Sequence, residues 1–179
     1  DSFEGLEQNP NKYEDCVFFI ATNWNPLNTR DSSKRKSLID LVNRLDLPCI
    51  NLIDPSSYVS RFAKLGKSIF IGCNSVVEPR AVINDFANLG DQVLIAHDSI
   101  VGLNTVVARC GGMHGKTGDN CYIAPHTYLY KHGGDVIMGS NAVVDPALWV
   151  KRDIAENEHV TLSKNSMRVY RLVSESDVE

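Results

Sequence analysis

"LGKSIFIGCNSVVEPRAVINDFANLGDQVLIAHDSIVGLNTVVARCGG", residues 65–112, decides the fold because it divides into eight units of six residues. The first position of every unit is aliphatic, and the fifth is small or β-branched throughout. Glycine recurs at the second position, as Gly66, Gly72, Gly90 and Gly102. A period of six fits neither a helix, with about 3.6 residues per turn, nor a strand with a period of two. It is the signature of a parallel β-helix.

In a β-helix of this kind each unit forms a short strand and a turn, and three units close one triangular coil. Residues eighteen apart in the sequence are therefore expected to stack. The aliphatic first residue is expected to point inward, and the small fifth residue to fit where the strand bends. Glycine at the second position is expected to supply turns with positive φ. Since each coil is stabilised only by its neighbours, several coils in succession are needed.

The six-residue register is interrupted twice after this stretch. Val107 and the next aligned residue, Ile123, are sixteen positions apart, while Leu129 and Met138 are nine apart. Neither distance is a multiple of six. Small extra loops are therefore expected at two places, within residues 111–120 and 133–135.

The remaining segments suggest how the chain is divided. The N-terminal stretch is polar and aperiodic, which is typical of a flexible arm. It is followed by a short apolar run, a helical pattern over 33–47 and a second apolar run, together the size of a parallel βαβ crossover. The closing segment is expected to form a capping strand, or a strand and a short helix. The predicted divisions are a flexible arm (1–15), a partial α/β domain (16–56), the β-helix (57–158) and a C-terminal cap and tail (159–179).

Composition excludes several classes of protein. The chain has 179 residues, a formal net charge of -4 and a hydrophobic fraction of 43%. This charge offers no electrostatic attraction for nucleic acid or an anionic membrane, and no apolar run approaches the roughly 20 residues of a membrane span. The five cysteines are scattered and include no CxxC motif, so reduced thiols and a cytoplasmic location are expected.

A histidine and an aspartate interrupt the repeat in the unit "IAHDSI", residues 95–100. Ile95 and Ser99 occupy the inward positions, so His97 and Asp98 are expected to project outward at the edge of a face. On residue type alone, an outward histidine is more often a solvated surface residue. The alternative is a general base, because imidazole titrates near neutral pH. Its orienting carboxylate would be Asp98, or a group from another coil or subunit.

The histidines also raise the possibility of a metal site. His97, His114 and His132 are seventeen and eighteen residues apart, so they could line one edge, and three neutral imidazoles can hold zinc. The γ-class carbonic anhydrases use the same repeat and bind metal through histidines, but their spacing differs from the one found here. No metal is therefore expected.

Several segments within residues 16–171 resemble the bacterial sugar acetyltransferases of the NeuD/PglD type. "AHDSIVGLNTVVA" (96–108) is similar to the family's H-[DE]-x-x-[IV]-G segment, which holds the proposed base. "MGSNAVV" (138–144) resembles part of its closing coils. "KNSMRVYR" (164–171) lies where the family has a G-N-P-A-[KR]-x-x-R coenzyme-binding turn. The family's first βαβ element has no counterpart here, which implies a truncated N-terminal nucleotide-sugar domain.

The resemblance implies a mainly β fold, with a left-handed parallel β-helix after a small βαβ fragment of a Rossmann-like domain. It implies that acetyl-CoA is the co-substrate, His97 the base and Asp98 its partner. Residues implied to bind the coenzyme are Ala124, Ala142, Asn165, Arg168 and Arg171.

The predicted function that follows is transfer of an acetyl group to an amine or hydroxyl of a sugar or nucleotide-sugar, in bacterial surface-glycan biosynthesis. The enzyme is expected to be a homotrimer with active sites between subunits. Two other classes remain open: a non-catalytic trimeric scaffold or binding protein, and a metalloprotein similar to the γ-carbonic anhydrases.

Overall fold

The computed structural model describes residues 3–8, 13–22, 29–163 and 166–171. In these ranges helix α1 spans Phe3–Gln8 and helix α2 spans Thr29–Arg44. The strands, in chain order, are β1 (Leu52–Ile53), β2 (Tyr58–Val59), β3 (Lys64–Leu65), β4 (Phe70–Ile71), β5 (Val76–Val77), β6 (Val82–Ile83), β7 (Asn88–Leu89), β8 (Leu94–Ile95), β9 (Ile100–Val101), β10 (Val106–Val107), β11 (Gly112–Met113), β12 (Gly115–Thr117), β13 (Tyr122–Ile123), β14 (Tyr128–Leu129), β15 (Val136–Met138), β16 (Val143–Val144), β17 (Trp149–Val150), β18 (Glu158–Ser163) and β19 (Ser166–Arg171).

These strands form the three faces of a parallel β-helix. The first sheet has the order β1-β4-β7-β10-β13-β16-β18-β19, the second β17-β14-β11-β8-β5-β2, and the third β15-β12-β9-β6-β3. Every neighbouring pair is parallel except β18 with β19. In the regular coils the paired residues are eighteen apart, as in Phe70 with Asn88 and Val76 with Leu94. The predicted β-helix and its stacking rule are confirmed.

The core of the β-helix consists of the first and fifth positions of the repeat. From the second unit onward the first-position residues have no exposed surface, and the small fifth-position residues are buried beside them. This apolar column runs the length of the solenoid and ends near Val160. Burial of its aliphatic side chains is the main stabilising contribution to the fold.

The turns differ from the expectation for glycine. The left-handed backbone falls on the fourth position of the repeat, at non-glycine residues such as Asn74, Arg80 and Asp98. Second-position glycines are needed for close packing instead. A Cβ on Gly66 would lie 2.1 Å from Asp85 Oδ1, and one on Gly102 would lie 1.9 Å from the carbonyl oxygen of the next coil. The prediction that these glycines supply positive φ is wrong.

The irregular turns all lie between the second and third sheets, at what we call the second corner. Leu129 and Met138 are separated by nine residues because a loop closed by a Lys131–Gly134 bridge is inserted. This confirms the extra loop predicted at 133–135. Met113 is followed after only four residues by Thr117. The coil from Val107 to Ile123 is therefore two residues short, and the extra loop predicted within 111–120 is wrong.

The N-terminal region packs against the turns between the third and first sheets. A single parallel bridge joins Phe18 to Cys49 on either side of α2, while β1 pairs with β4 of the β-helix. Arg35 of α2 is buried, and its guanidinium donates to the Asn104 side chain at 2.7 Å and the Phe86 carbonyl at 2.7 Å. The Rossmann-like fragment stays a prediction, because one bridge and one helix do not establish that domain.

The C-terminal end is an antiparallel hairpin of β18 and β19, in which β18 continues the first sheet. The alternative of a short helix after the capping strand is wrong for residues 166–171. No helix in the described ranges is long and apolar enough to cross a bilayer.

Candidate functional site

His97 lies at the second corner, in the turn between β8 and β9. The main chain there is held by the neighbouring coils: the Ala96 amide donates to the Met113 carbonyl at 3.0 Å, and the His97 amide donates to Glu78 Oε2 at 2.9 Å. Ile95 and Ser99 are buried on either side. The backbone of this turn is thus held by the coils on both sides. The imidazole points outward, as the register of the repeat predicts.

Asp98 is the hydrogen-bond partner of His97. Its Oδ2 lies 2.8 Å from His97 Nδ1. Asp98 occupies the left-handed fourth position with φ of 60°, a conformation that aspartate tolerates better than most residues. This backbone turns the carboxylate toward the ring beside it. The predicted pair is brought together within its own turn, and no carboxylate from another coil is needed.

The guanidinium of Arg80 also binds the Asp98 carboxylate. Arg80, one coil earlier, donates from Nε to Asp98 Oδ1 and from Nη2 to Oδ2, both at 2.6 Å. The hydrogen bonds from Arg80, and then that from His97, hold the pKa of the Asp98 carboxyl well below its usual range. An ionised carboxylate only accepts hydrogen bonds, so the proton shared with His97 belongs to Nδ1. In the neutral ring, Nε2 is then the nitrogen free to accept a proton.

His114 lies beside His97 on the next coil, where Met113 pairs in register with Ile95. The two ring centroids are 5.2 Å apart with planes at 61°. Of the three histidines that could line one edge, the structure brings these two together. Nδ1 of His114 is buried without a hydrogen-bond partner, and its Nε2 is 3.9 Å from Asp135 Oδ1.

A row of aromatic rings continues from the histidines along the β-helix axis. The ring of Tyr130 lies 6.0 Å from that of His114, and the ring of Trp149 lies 6.4 Å from that of Tyr130. Together they border a cavity of about 700 Å³ on the outer face of the second sheet. Its lining comprises Glu78, Leu94, Ala96, His97, Met113, His114, Tyr128, Leu129, Tyr130 and Trp149. The site is thus an open, largely apolar hollow with the His97–Asp98 pair at its rim.

Two of the residues predicted to bind the coenzyme, Ala124 and Ala142, are not among those that line this cavity. Ala124 is buried, and Ala142 packs inside the core with no exposed surface, so neither methyl group is available to a ligand. Arg168 and Arg171 lie on strand β19 rather than in a turn, and Asn165 lies outside the described residues. The predicted coenzyme role of these five residues stays a prediction.

The metal hypothesis finds no support in the arrangement of side chains. Within the described residues, no group of three or more His, Cys, Asp or Glu side chains is placed to hold a metal ion. His97 and His114 face each other as T-shaped rings.

Sequence reasoning missed Arg80 and the aromatic row. The signal for Arg80 was present, since it lies eighteen residues before Asp98 and the repeat stacks residues at that distance. The aromatic row had a weaker signal, because Tyr130 and Trp149 reach the site only through the inserted loop and the coils above the short turn.

Comparison with known proteins bears on the fold. The sequence matches no protein-family model and no curated protein. Among solved structures, two histidine mutants of perosamine N-acetyltransferase from Caulobacter crescentus, each in complex with CoA and GDP-perosamine, superpose with a TM-score of 0.55. The match covers 92% of this chain and 74% of theirs at 16% identity. The chain shares their fold.

A third neighbour in structure is the acetyltransferase domain of PglB from Neisseria gonorrhoeae. It is 19% identical, with a TM-score of 0.41, over 76% of this chain and 65% of that domain. At 16% identity the two perosamine N-acetyltransferase structures show the fold alone.

Proposed function

We propose that the chain is an acetyltransferase that moves the acetyl group of acetyl-CoA to an amine or hydroxyl of a sugar or nucleotide-sugar. The observation that carries this proposal is the His97–Asp98 pair, with Nδ1 and Oδ2 2.8 Å apart, at the rim of a cavity of about 700 Å³. A base with a fixed tautomer beside an open hollow is what direct acyl transfer requires.

The proposed reaction uses His97 as the proton carrier. Nε2 takes the proton of the acceptor amine or hydroxyl as that group attacks the thioester carbonyl. The carbon–oxygen π electrons move to oxygen, where a backbone amide stabilises the oxyanion. When the carbonyl re-forms, the carbon–sulfur bond breaks and the proton on Nε2 passes to the departing thiolate. Asp98 stays ionised and stabilises the imidazolium throughout.

The lining of the cavity supports a ring-bearing acceptor. Tyr128, Tyr130 and Trp149 each expose more than two-fifths of their surface beside the histidines. Flat aromatic faces suit the apolar face of a sugar ring or a nucleobase, and the phenolic hydroxyls add hydrogen bonds. The perosamine N-acetyltransferase structures hold CoA and GDP-perosamine, which supports the same two classes of ligand here.

The remaining parts of the proposal concern the coenzyme and the setting. Acetyl-CoA supplies the activated acetyl group, and the apolar floor between Leu94 and Tyr128 suits its pantetheine arm. Arg168 and Arg171 are the proposed partners of its phosphates. All five cysteines are free, which supports a reducing, cytoplasmic location. We further propose a homotrimer with the site between subunits, acting in surface-glycan biosynthesis.

The test compares substitutions at two histidines, one at the proposed site and one on another corner of the β-helix. Thiol release from acetyl-CoA is measured with a panel of amino sugars and nucleotide-linked amino sugars for the wild type, His97→Asn and His126→Asn. We expect His97→Asn to lose on the order of 10²- to 10⁴-fold in kcat. His126→Asn is the matched control, because His126 is exposed on another corner and asparagine suits its left-handed φ of 59°.

Two results would contradict the proposal. One is a wild type that is as inert as His97→Asn and whose melting temperature acetyl-CoA does not raise; this would favour the non-catalytic scaffold. The other is full activity in His97→Asn, which would show that His97 takes no part in the reaction.

A further inference from the structure

Arg80 lies at the second corner, one coil before Asp98. It occupies a left-handed fourth position with φ of 64°. This conformation favours asparagine, aspartate and glycine, and the same position holds asparagine at Asn74 but larger side chains at Phe86 and Gln92. The backbone alone therefore does not account for arginine here, and its role is sought in what its side chain touches.

The guanidinium touches Asp98 in a two-point contact. Nε and Nη2 each donate to a different carboxylate oxygen at 2.6 Å, which is the fork geometry that fixes a carboxylate in both rotation and tilt. The two turns are also joined through the backbone, because the Asp98 amide donates to the Pro79 carbonyl at 3.2 Å. Arg80 therefore holds Asp98 from a rigid neighbouring coil.

Stability does not account for this contact. The Arg80 and Asp98 side chains are 65% and 48% exposed, and ion pairs with that much solvent around them contribute little to folding. The same Oδ2 atom accepts from both Arg80 Nη2 and His97 Nδ1. The contact therefore acts on the His97 imidazole, because Arg80 keeps Asp98 Oδ2, which pairs with the ring, from rotating away.

Two more side chains lie next to the same turn. The Glu78 carboxylate accepts from the His97 amide at 2.9 Å, and the ring of His114 lies 5.2 Å from that of His97.

We propose that Arg80 is a positioning residue for the His97–Asp98 pair, which fixes the carboxylate so that Nδ1 keeps its proton and Nε2 stays free as the base. The inference rests on the proposed function for its kinetic consequences. Its structural consequence, the tautomer of His97, does not depend on any substrate.

The kinetic test separates charge from geometry with two substitutions. Arg80→Gln removes both, so we expect kcat to fall on the order of tenfold with the KM values of both substrates unchanged. Arg80→Lys keeps the charge but not the fork, so we expect it to lose part of kcat as well.

Arg61→Gln is the matched control, because Arg61 is exposed at the same corner one coil earlier. It removes the same charge without touching Asp98 and should match the wild type. If Arg80→Gln also matches the wild type in kcat while Asp98→Asn is impaired, the positioning role is wrong and the proposed function stands.

A second measurement needs no activity. Nitrogen chemical shifts of labelled histidine, with the His97 signal identified by its loss in His97→Asn, report the tautomer directly. We expect the Nδ1–H form to dominate in the wild type, and the Nε2–H form to grow in Arg80→Gln but not in Arg61→Gln. An unchanged ratio in Arg80→Gln overturns the inference, even if no acetyl transfer is found.

Discussion

A single carboxylate determines how the histidine at the second corner can act. Asp98 accepts from Arg80 on the coil below and from His97 in its own turn. Because these donors stabilise the ionised form, Asp98 remains an acceptor across the neutral range, and the tautomer of His97 is fixed with it. The acid–base behaviour of the site is therefore set by three side chains within two adjacent turns.

The lowered pKa of Asp98 predicts a particular pH dependence of stability. Since the folded chain binds this proton less tightly than the unfolded chain, the contribution of Asp98 is fully present above the ordinary aspartate value of about 3.9. It is lost as pH falls below that value. Because the Asp98 side chain is half exposed, we expect only a small difference in melting temperature between the wild type and Asp98→Asn, constant from about pH 5 to 8 and shrinking below about pH 4.

Asparagine is the suitable replacement for Asp98, because it tolerates the left-handed φ of 60° and so leaves the backbone unchanged. A difference that grows as the solution becomes more acidic would contradict the assignment of Asp98 as the carboxyl whose pKa is lowered.

At the scale of the element, the turns decide where the coils depart from eighteen residues. At the second corner the link from Met113 to Thr117 is short and the link from Leu129 to Met138 is long. His97 and His114 lie in this corner on successive coils, with ring centroids 5.2 Å apart. Tyr130, at the start of the long link, continues the row of rings 6.0 Å from His114.

Close packing of the coils predicts unequal tolerance at two glycines. A Cβ on Gly102 would lie 1.9 Å from the Gly118 carbonyl oxygen, whereas the nearest atom to a Cβ on Gly134 is a flexible lysine carbon at 3.7 Å. We expect Gly102→Ala to lower the free energy of unfolding by about 1–3 kcal/mol. Gly134→Ala should change it by less than about 0.5 kcal/mol.

Urea unfolding followed by circular dichroism measures both variants under the same conditions. Equal stability of the two would mean that the coils can move apart at no cost, contrary to the packing of second-position residues described above.

At the scale of the whole molecule, the outer face of the second sheet carries an uncovered apolar column. Tyr58, Val76, Leu94, Gly112, Tyr128 and Trp149 follow one another in register along it. Most of these side chains are substantially exposed. Contiguous exposed apolar surface is typical of interaction sites, and this column borders the cavity that His97 lines.

The proposed homotrimer would cover part of this column, and its mass tests the proposal. Three chains of 19.8 kDa give 3 × 19.8 = 59.4 kDa, which sedimentation equilibrium distinguishes readily from a monomer. We expect Tyr58→Glu to weaken the assembly, because it places a charge within the column. Phe62→Glu is the control: it is as exposed, at 58% against 59%, but lies on the second corner outside the column. A monomeric wild type would contradict the proposal.

The sequence by itself determined the β-helix, because a strict period of six leaves the aliphatic residues only one inward face to share. It also determined that His97 points outward, since Ile95 and Ser99 fix the register on either side. The same eighteen-residue stacking could have placed Arg80 under Asp98. These features depend on spacing alone, and spacing is fully visible in a sequence.

Only the tertiary structure decided how the interruptions are built. A spacing of sixteen between Val107 and Ile123 is equally two complete units with four residues added or three with two removed, and the count cannot distinguish them. The chain removes two, because Thr117 can pair with Met138 only if the corner is cut short. Turn length is settled by which strands can hydrogen-bond across the coils, and a count of residues does not show which strands those are.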